Sequence, residues 1–384
     1  MIIKDKGSIT KKGNKWYVII DLPREKDGER NQKWFGGFKT KEKAEEERIR
    51  INYEINQGIH INPNNITLGE FMDEWLEEVA SNNIRESSFK RYKSLTENHI
   101  KPTLGDIELQ ALKPIHIQKK IISEKLKSGN LKTGEGLSAE TINMILNIIH
   151  GALDTAVKWE MVVKNVAKLV DRPRVEKKEM DYLDPDQVKV FLKEAKKDEG
   201  YYPILLTAVM TGLRRGELLG LRWKDVNFTA KQIAIRKSLT RRDSEYVLTE
   251  PKSDSSIRTV AVPSIVIKTF KKERKKQAER ELKYEGGYNE KGLIFTKKDG
   301  SFIHPNTLTR HYKKILKKAN LPEIRFHDLR HTHATLMLSQ GEEPKVISER
   351  LGHSTISITL DRYSHVLPNM QQEAADRLEN ELFS

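Results

Sequence analysis

The chain has 384 residues and a mass of 44.4 kDa, long enough for roughly two or three domains with cores of their own. It contains no cysteine, which excludes disulfides, thiolate metal sites, a cysteine nucleophile and thiol redox chemistry, and agrees with a reducing compartment. Its 69 Lys and Arg against 55 Asp and Glu give a net charge of +14, which points to a polyanion, nucleic acid first; a merely basic soluble protein is the plain alternative. No apolar run of about 18 residues occurs, so no membrane span is expected. The start, Met1-Ile2-Ile3-Lys4-Asp5-Lys6, lacks the apolar stretch of a signal peptide.

The first 40 residues read as short strands. Trp16-Tyr17-Val18-Ile19-Ile20 is aromatic and β-branched, and Gln32 to Phe38 is a second such run, with turn residues from Pro23 to Gly28 between them. An earlier strand is expected around Gly7 to Thr10, with a turn at Lys12-Gly13-Asn14. Ten Lys and Arg against five Asp and Glu make this sheet basic. A helix capped by Thr40 follows and ends near Gly58, with Ala44, Ile51 and Ile55 facing the sheet. Such a sheet can lie in a DNA groove or can be a small solvated module, and its pattern alone does not decide.

Residues 59–66 read as a linker. A capping box, Thr67 with Glu70, opens a helix that carries Phe71, Trp75, Leu76 and Val79. Helical pattern resumes from Ser88 to about Ile100, where Pro102 and Gly105 are expected to break it. Another helix starts near Pro114, and a polar, Gly-rich stretch separates it from Ser138. From there Ile142, Ile145, Ile149 and Leu153 recur at helical spacing as far as Trp159. This is an all-helical domain of about 100 residues. A charged linker, residues 171–180, leads to a third domain. Asp184 caps its first helix, Pro185 fits the first turn, and Leu183 can staple onto Val188. Gln232 to Ile235 and Arg258 to Val262 read as strands flanking a polar hairpin tip. The very basic run Lys268 to Arg280 reads as a solvated helix face.

Three segments carry chemistry. In Thr211-Gly212-Leu213-Arg214-Arg215-Gly216-Glu217-Leu218, a helix would put Arg214 and Glu217 on the stripe that holds Leu218 and Leu221. A guanidinium there needs a partner, either Glu217 or a bound anion; a structural Arg–Glu pair is the simpler meaning of this segment by itself. In Arg325-Phe326-His327-Asp328-Leu329-Arg330-His331-Thr332-His333, His327 and Arg330 share a helix face close to its start, where an anion is favoured. Arginine and histidine together suit a phosphate. Three histidines within seven residues also raise zinc, but no cysteine and no His-Glu-x-x-His pattern accompany them, so a metal site is not expected. In Leu351-Gly352-His353, Gly352 ends a helix begun near Pro344, and Tyr363 follows ten residues after His353. Taken singly, Tyr363 would be a packing residue.

These motifs in this order resemble the tyrosine recombinases, the phage-type integrases, along the whole chain. The resemblance implies a multidomain, mainly α fold with small β-sheets. Residues 1–60 would be an arm-type DNA-binding domain, 67–172 a helical, SAM-like core-binding domain, and 182–384 a mixed α/β catalytic domain with a C-terminal protomer-contact helix. It implies that Arg214 and Arg330 clamp the scissile phosphate, that Lys252 sits on a β-hairpin, that His327 and His353 complete the site, that Tyr363 is the nucleophile and that Glu217 supports the first arginine. Lys252 is equally readable as one exposed lysine among many. The tail carries Met370, Ala374, Leu378 and Leu382 along one side of a helix; the stripe packs in cis or, as in the family, on a neighbouring protomer of a cyclic tetramer.

A phenol titrates near about 10, so a tyrosine nucleophile needs cationic surroundings and a proton acceptor, a part that suits His327. Two arginines can hold the charge that builds on the non-bridging oxygens, a task that a divalent metal performs in other phosphoryl-transfer enzymes. The expected activity is site-specific recombination through a 3′-phosphotyrosyl intermediate, integrating and excising a mobile element without metal, ATP or other cofactor. Expected partners are double-stranded DNA at core and arm attachment sites, three further copies of the chain, and accessory factors of the excisionase or DNA-bending kind. The expected setting is the cytoplasm of a bacterial host, at the nucleoid when bound. Two rivals share these features: a type IB topoisomerase, which reseals the same strand, and a non-catalytic DNA-binding regulator.

Overall fold

Alternation of apolar residues builds the first element of the fold. Strands β1 (Ser8–Lys12) and β2 (Lys15–Asp21) form an antiparallel hairpin around Gly13 and Asn14, and β3 (Gln32–Phe38) pairs with the other edge of β2. Val18 and Ile20 point to one face, where Ala44 and Ile51 of helix α1 (Lys41–Asn56) complete a small core. Thr40 Oγ1 accepts the N–H of Lys43 at 3.3 Å, the expected cap. On the other face Tyr17 and Trp34 meet with ring centroids 6.1 Å apart, and the Lys12 ammonium lies 5.9 Å from the exposed Trp34 ring. The computed structural model describes residues 7–21, 32–56, 65–131, 133–176, 181–242, 245–250, 257–284, 288–289 and 291–353, with isolated positions beyond. The expected end of α1 near Gly58 and the side chain of Ile55 lie outside them.

Chain contacts divide the protein into residues 1–177 and 178–384. In the first unit, the helical part begins with α2 (Leu68–Trp75), capped by Thr67 and Glu70 in the reciprocal box that the sequence predicts. A π-turn (Leu76–Ala80) carries it into α3 (Ser81–Asn83). Next, α4 (Glu86–Leu95) continues through a second π-turn (Thr96–Ile100) into α5 (Lys101–Leu104). Here Pro102 does not break the helix, contrary to expectation. The Lys101 N–H reaches back five residues to the Thr96 carbonyl, so the ladder has already widened where the ring lacks a donor. The chain leaves the helix at Gly105. Then α6 (Pro114–Ile117) runs into a third π-turn (Gln118–Ser123), and α7 (Ala139–Lys158) starts at Ser138, whose hydroxyl caps Thr141. Ile142, Ile145, Ile149 and Leu153 of α7 are fully buried against Phe71, Met72 and Trp75, and the Trp75 indole donates to Thr155 Oγ1 at 3.1 Å.

The second unit opens with α8 (Pro185–Ala195), capped by Asp184 and Gln187, with Leu183 and Val188 in one core. Helix α9 (Tyr202–Thr211) is apolar on all sides and sits inside the domain. Its two threonines satisfy their hydroxyls on backbone: Thr207 on Pro203 O at 2.7 Å and Thr211 on Thr207 O at 2.6 Å. After the short α10 (Arg215–Leu219) comes an antiparallel sheet of β4 (Val226–Asn227), β5 (Gln232–Ile235) and β8 (Arg258–Ala261). Between β5 and β8 the chain makes a separate hairpin, β6 (Ser238–Arg242) with β7 (Glu245–Thr249). Expected only as a polar tip, the hairpin turns Leu239 into the domain core and packs Tyr246 and Leu248 against it, a short apolar run that its charged and hydroxyl neighbours mask in the sequence. Helix α11 (Ser264–Glu281) buries Val266, Ile267 and Phe270 and turns Lys268, Lys271, Lys272 and Lys275 outward, the solvated face expected of it. Helices α12 (Pro305–Lys318), α13 (Asp328–Ser339) and α14 (Pro344–Leu351) close the described fold.

Ile149→Ala removes a fully buried side chain from the middle of α7. Urea denaturation should show a loss of about 2–5 kcal/mol, whereas Trp159→Ala, at a 42% exposed position, should lose distinctly less.

Candidate active site

The site begins where α9 stops. Gly212 ends that helix in the left-handed region with φ +63°, and a Cβ there would stand 2.6 Å from Leu351 Cδ2 and 2.8 Å from His333 Cδ2. Both backbone and space therefore demand glycine. Leu213 is buried, and Arg214 becomes the N-cap of α10. Arg214 and Glu217 thus do not share a helical stripe, as the sequence suggests. The helix starts one residue later, and Glu217, at its third position, folds back on the cap. Glu217 Oε2 accepts the Arg214 N–H at 3.0 Å, and Oε1 accepts from Arg214 Nη1 at 2.8 Å.

Glu217 is buried, and a second guanidinium reaches it from the sheet. Arg258 Nη2 donates to Oε2 at 3.0 Å and Nη1 to Oε1 at 3.3 Å. Burial by itself would push this carboxyl up; the hydrogen bond and charge of Arg258, with the charge of Arg214, hold it below the usual carboxylate range. Arg214 Nη2 also donates to the Gly352 carbonyl at 2.9 Å. Gly352 is the left-handed cap of α14, as the sequence predicts, and His353 follows it, partly exposed. The Arg214 side chain remains 37% accessible, so it is held and still reachable.

Arg330 comes from the first turn of α13 and is buried. Its Nη1 donates to the Gly212 carbonyl at 3.1 Å, which ties it to the turn that presents Arg214. His327 is the N-cap of the same helix; its ring is exposed and stands edge-on to His331, with centroids 5.4 Å apart. Asp328 is buried and chelates Arg325, accepting its N–H at 2.8 Å and its Nη2 at 2.9 Å, which fixes the approach to the helix. Five sequence candidates thus converge in one region: Arg214, Glu217 and Arg330 through hydrogen bonds, His353 next to Gly352, and His327 one turn before Arg330. Lys252 and Tyr363 lie outside the described residues.

Three residues of this network were not singled out from sequence. Arg258 joins the shared carboxylate. His333 and Arg350 lie beneath the Gly212 turn: His333 Nδ1 donates to Val209 O at 2.9 Å, and its Nε2 accepts from Arg350 Nε at 3.0 Å. The pattern makes His333 a neutral imidazole. Its burial first, and the Arg350 charge second, bring its pKa down to about 3. His333 was readable only as the third histidine of a cluster, and Arg350 only as a helix-surface charge. Among the described residues no group of three His, Asp or Glu is placed to hold a metal ion.

Residues 181–370 match the Phage integrase family, residues 67–126 its N-terminal SAM-like domain, and residues 8–55 an arm DNA-binding domain. A protein named tyrosine recombinase XerC-like, from Caldanaerobacter subterraneus, is 33% identical over 98% of this chain and 99% of its own. The chain belongs to the tyrosine recombinases of the phage integrase family. These recombinases are DNA strand transferases. The ICEBs1 integrase of Bacillus subtilis is 36% identical over 64% of this chain and 67% of that protein. In fold, the recombinase resembles the Tn1549 transposon integrase solved with circular intermediate DNA (TM-score 0.67, 23% identity, 82% of this chain and 99% of that one). It also resembles lambda integrase solved as a tetramer on a Holliday junction (TM-score 0.55, 18% identity, 92% and 97%). No described helix is long and apolar enough to cross a membrane.

The depressed pKa of His333 should make one part of the recombinase's stability depend on pH. Unfolded, this histidine takes up a proton near pH 6.5; folded, it resists until about pH 3. Its contribution is whole above pH 6.5 and is lost as the pH falls below that, at up to about 1.4 kcal/mol per pH unit. Denaturation at pH 7.5 and pH 5 should show the loss, and His333→Gln should flatten it.

Proposed function

We propose that this tyrosine recombinase cuts and rejoins DNA at a crossover site and thereby integrates and excises a mobile element. The observation that carries this reading is the pair of arginines tied to one turn: Arg214, locked by Glu217 and the Gly352 carbonyl, and Arg330, locked by the Gly212 carbonyl. Fixed donors of that kind stabilise the charge that develops on the two non-bridging oxygens of an attacked phosphodiester, because no reorganisation is needed when the charge appears. Tyr363 is the nucleophile. Its phenol loses a proton to His327, whose exposed ring stands at the start of the helix that carries Arg330. The tyrosine oxygen bonds to phosphorus as the bond to the 5′ oxygen breaks, and Lys252 protonates that leaving oxygen. The product is a 3′-phosphotyrosine and a free 5′ hydroxyl. The two phosphodiesters are similar in energy, so neither ATP nor metal is required. A 5′ hydroxyl from the partner strand reverses the step and completes the exchange. His353, next to the carbonyl that holds Arg214, supplies a further donor to the phosphate.

The domain assignments follow the same reading. Residues 1–60 take arm-type sites with the basic face of the sheet, where Lys12, Tyr17 and Trp34 lie together. Residues 67–172 and 182–384 hold the core site. One chain that grips two sites raises the effective concentration of the second. The tail helix docks on the next protomer of a tetramer; Leu378 and Leu382 are 57% and 64% exposed and available for it. The matching Tn1549 and lambda integrases, solved on DNA, support DNA as the partner.

The test uses a nicked DNA carrying the candidate attachment site, from which the broken strand diffuses away and leaves the covalent complex trapped. The full chain should form a protein–DNA adduct unaffected by a chelator. Tyr363→Phe should abolish it, and Arg214→Ala should slow it by about 10²–10³-fold with DNA still bound. An adduct that persists in Tyr363→Phe overturns the assignment of the nucleophile. Relaxation of supercoils without recombinant joints would make the enzyme a topoisomerase.

A further inference from the structure

We infer that buried His333 and partly buried Arg350 form a brace that sets the position of Arg214, and that both are positioning residues for strand cleavage. Arg350 is forked across three elements at once: Nε to His333 Nε2 of α13 at 3.0 Å, Nη1 to Ala261 O of β8 at 2.9 Å, and Nη2 to Met210 O of α9 at 3.0 Å. Only a planar guanidinium offers donors in those three directions. His333 completes the joint by donating to Val209 O, so α9, α13, β8 and α14 meet at one pair of side chains.

What the brace holds is the last turn of α14, and that turn carries two carbonyls that serve the site. Arg350 O accepts from Arg258 Nε at 2.7 Å, and Gly352 O accepts from Arg214 Nη2 at 2.9 Å. Arg258 and Arg214 then share Glu217. The ring of His333 also lies directly under Gly212, whose carbonyl holds Arg330. A shift of α14 would therefore be felt at Arg214 through the Gly352 carbonyl and through the Arg258–Glu217 pair together. Neither brace residue needs to approach DNA to affect the reaction. The inference rests on the reading of Arg214 as a phosphate clamp.

Single-turnover formation of the covalent adduct, measured beside the Kd for the same DNA, tests it. His333→Phe keeps a flat ring of similar size but removes the acceptor for Arg350 and the donor to Val209. It should slow adduct formation by about 10²-fold, the order expected when a distant change misplaces a reacting group, with Kd unchanged within about threefold. Arg350→Lys should behave alike, since an ammonium cannot span the three acceptors. His333→Gln, which offers an acceptor oxygen for Arg350 and an amide NH2 for Val209 O, should restore most of the rate. If His333→Phe does not fold, Arg350→Lys and His333→Gln decide. Folded variants that cleave at the wild-type rate, a rate that falls only in step with DNA binding, or a failure of His333→Gln to rescue would each overturn the brace. Arg214→Ala separates the two readings: if it cleaves at full rate the clamp itself is wrong, whereas if it is inactive and His333→Phe is not impaired, only the brace is wrong.

Discussion

One buried carboxylate organises the catalytic unit. Glu217 accepts from the backbone and side chain of Arg214 and from both terminal nitrogens of Arg258. A lone carboxylate at that depth would be strongly disfavoured, and a guanidinium beside it would be too; together they are mutually required. The geometry follows from that requirement. Because Glu217 sits at the third position of α10, it can close on the N-cap, and because Arg258 leaves the sheet at the first residue of β8, the sheet is tied to the same point.

Backbone carbonyls at two glycine turns do the rest. Gly212 and Gly352 both adopt the left-handed conformation that ends a helix, and each leaves a carbonyl turned toward an arginine: Gly212 O toward Arg330 and Gly352 O toward Arg214. A helix end has carbonyls without intrahelical partners, and an arginine needs several acceptors. The recombinase uses each deficiency to satisfy the other. The result is a pair of cations held in place by the protein's own acceptors, the preorganisation on which the proposed phosphate clamp depends.

The same logic accounts for the inner layer. His333 is buried and Arg350 partly so, and their contact is possible because the imidazole stays neutral and accepts. A protonated ring would place two cations 3.0 Å apart. Low pH therefore acts against the joint from within the core, not only on surface pairs.

Much of this was legible in the order of residues. Apolar periodicity located α7 and the strands β2, β3, β5 and β8; side-chain caps marked the starts at Thr67 and Asp184; and Gly352 marked the end of α14, because these signals act within a few residues along the chain. The motifs around Arg214, His327, Arg330 and His353 marked residues that the fold brings into one region, because each motif is local. Pro102 misled because a widened π-turn, set by packing, removes the need for its missing N–H. Arg258, His333 and Arg350 could not be read, since their partners lie 41, 124 and 140 residues away and only the folded chain brings them to Glu217, Val209 and Met210. Sequence alone settled which chemical groups the recombinase owns; the tertiary structure decided which of them touch, because hydrogen bonds between distant segments depend on packing and not on spacing.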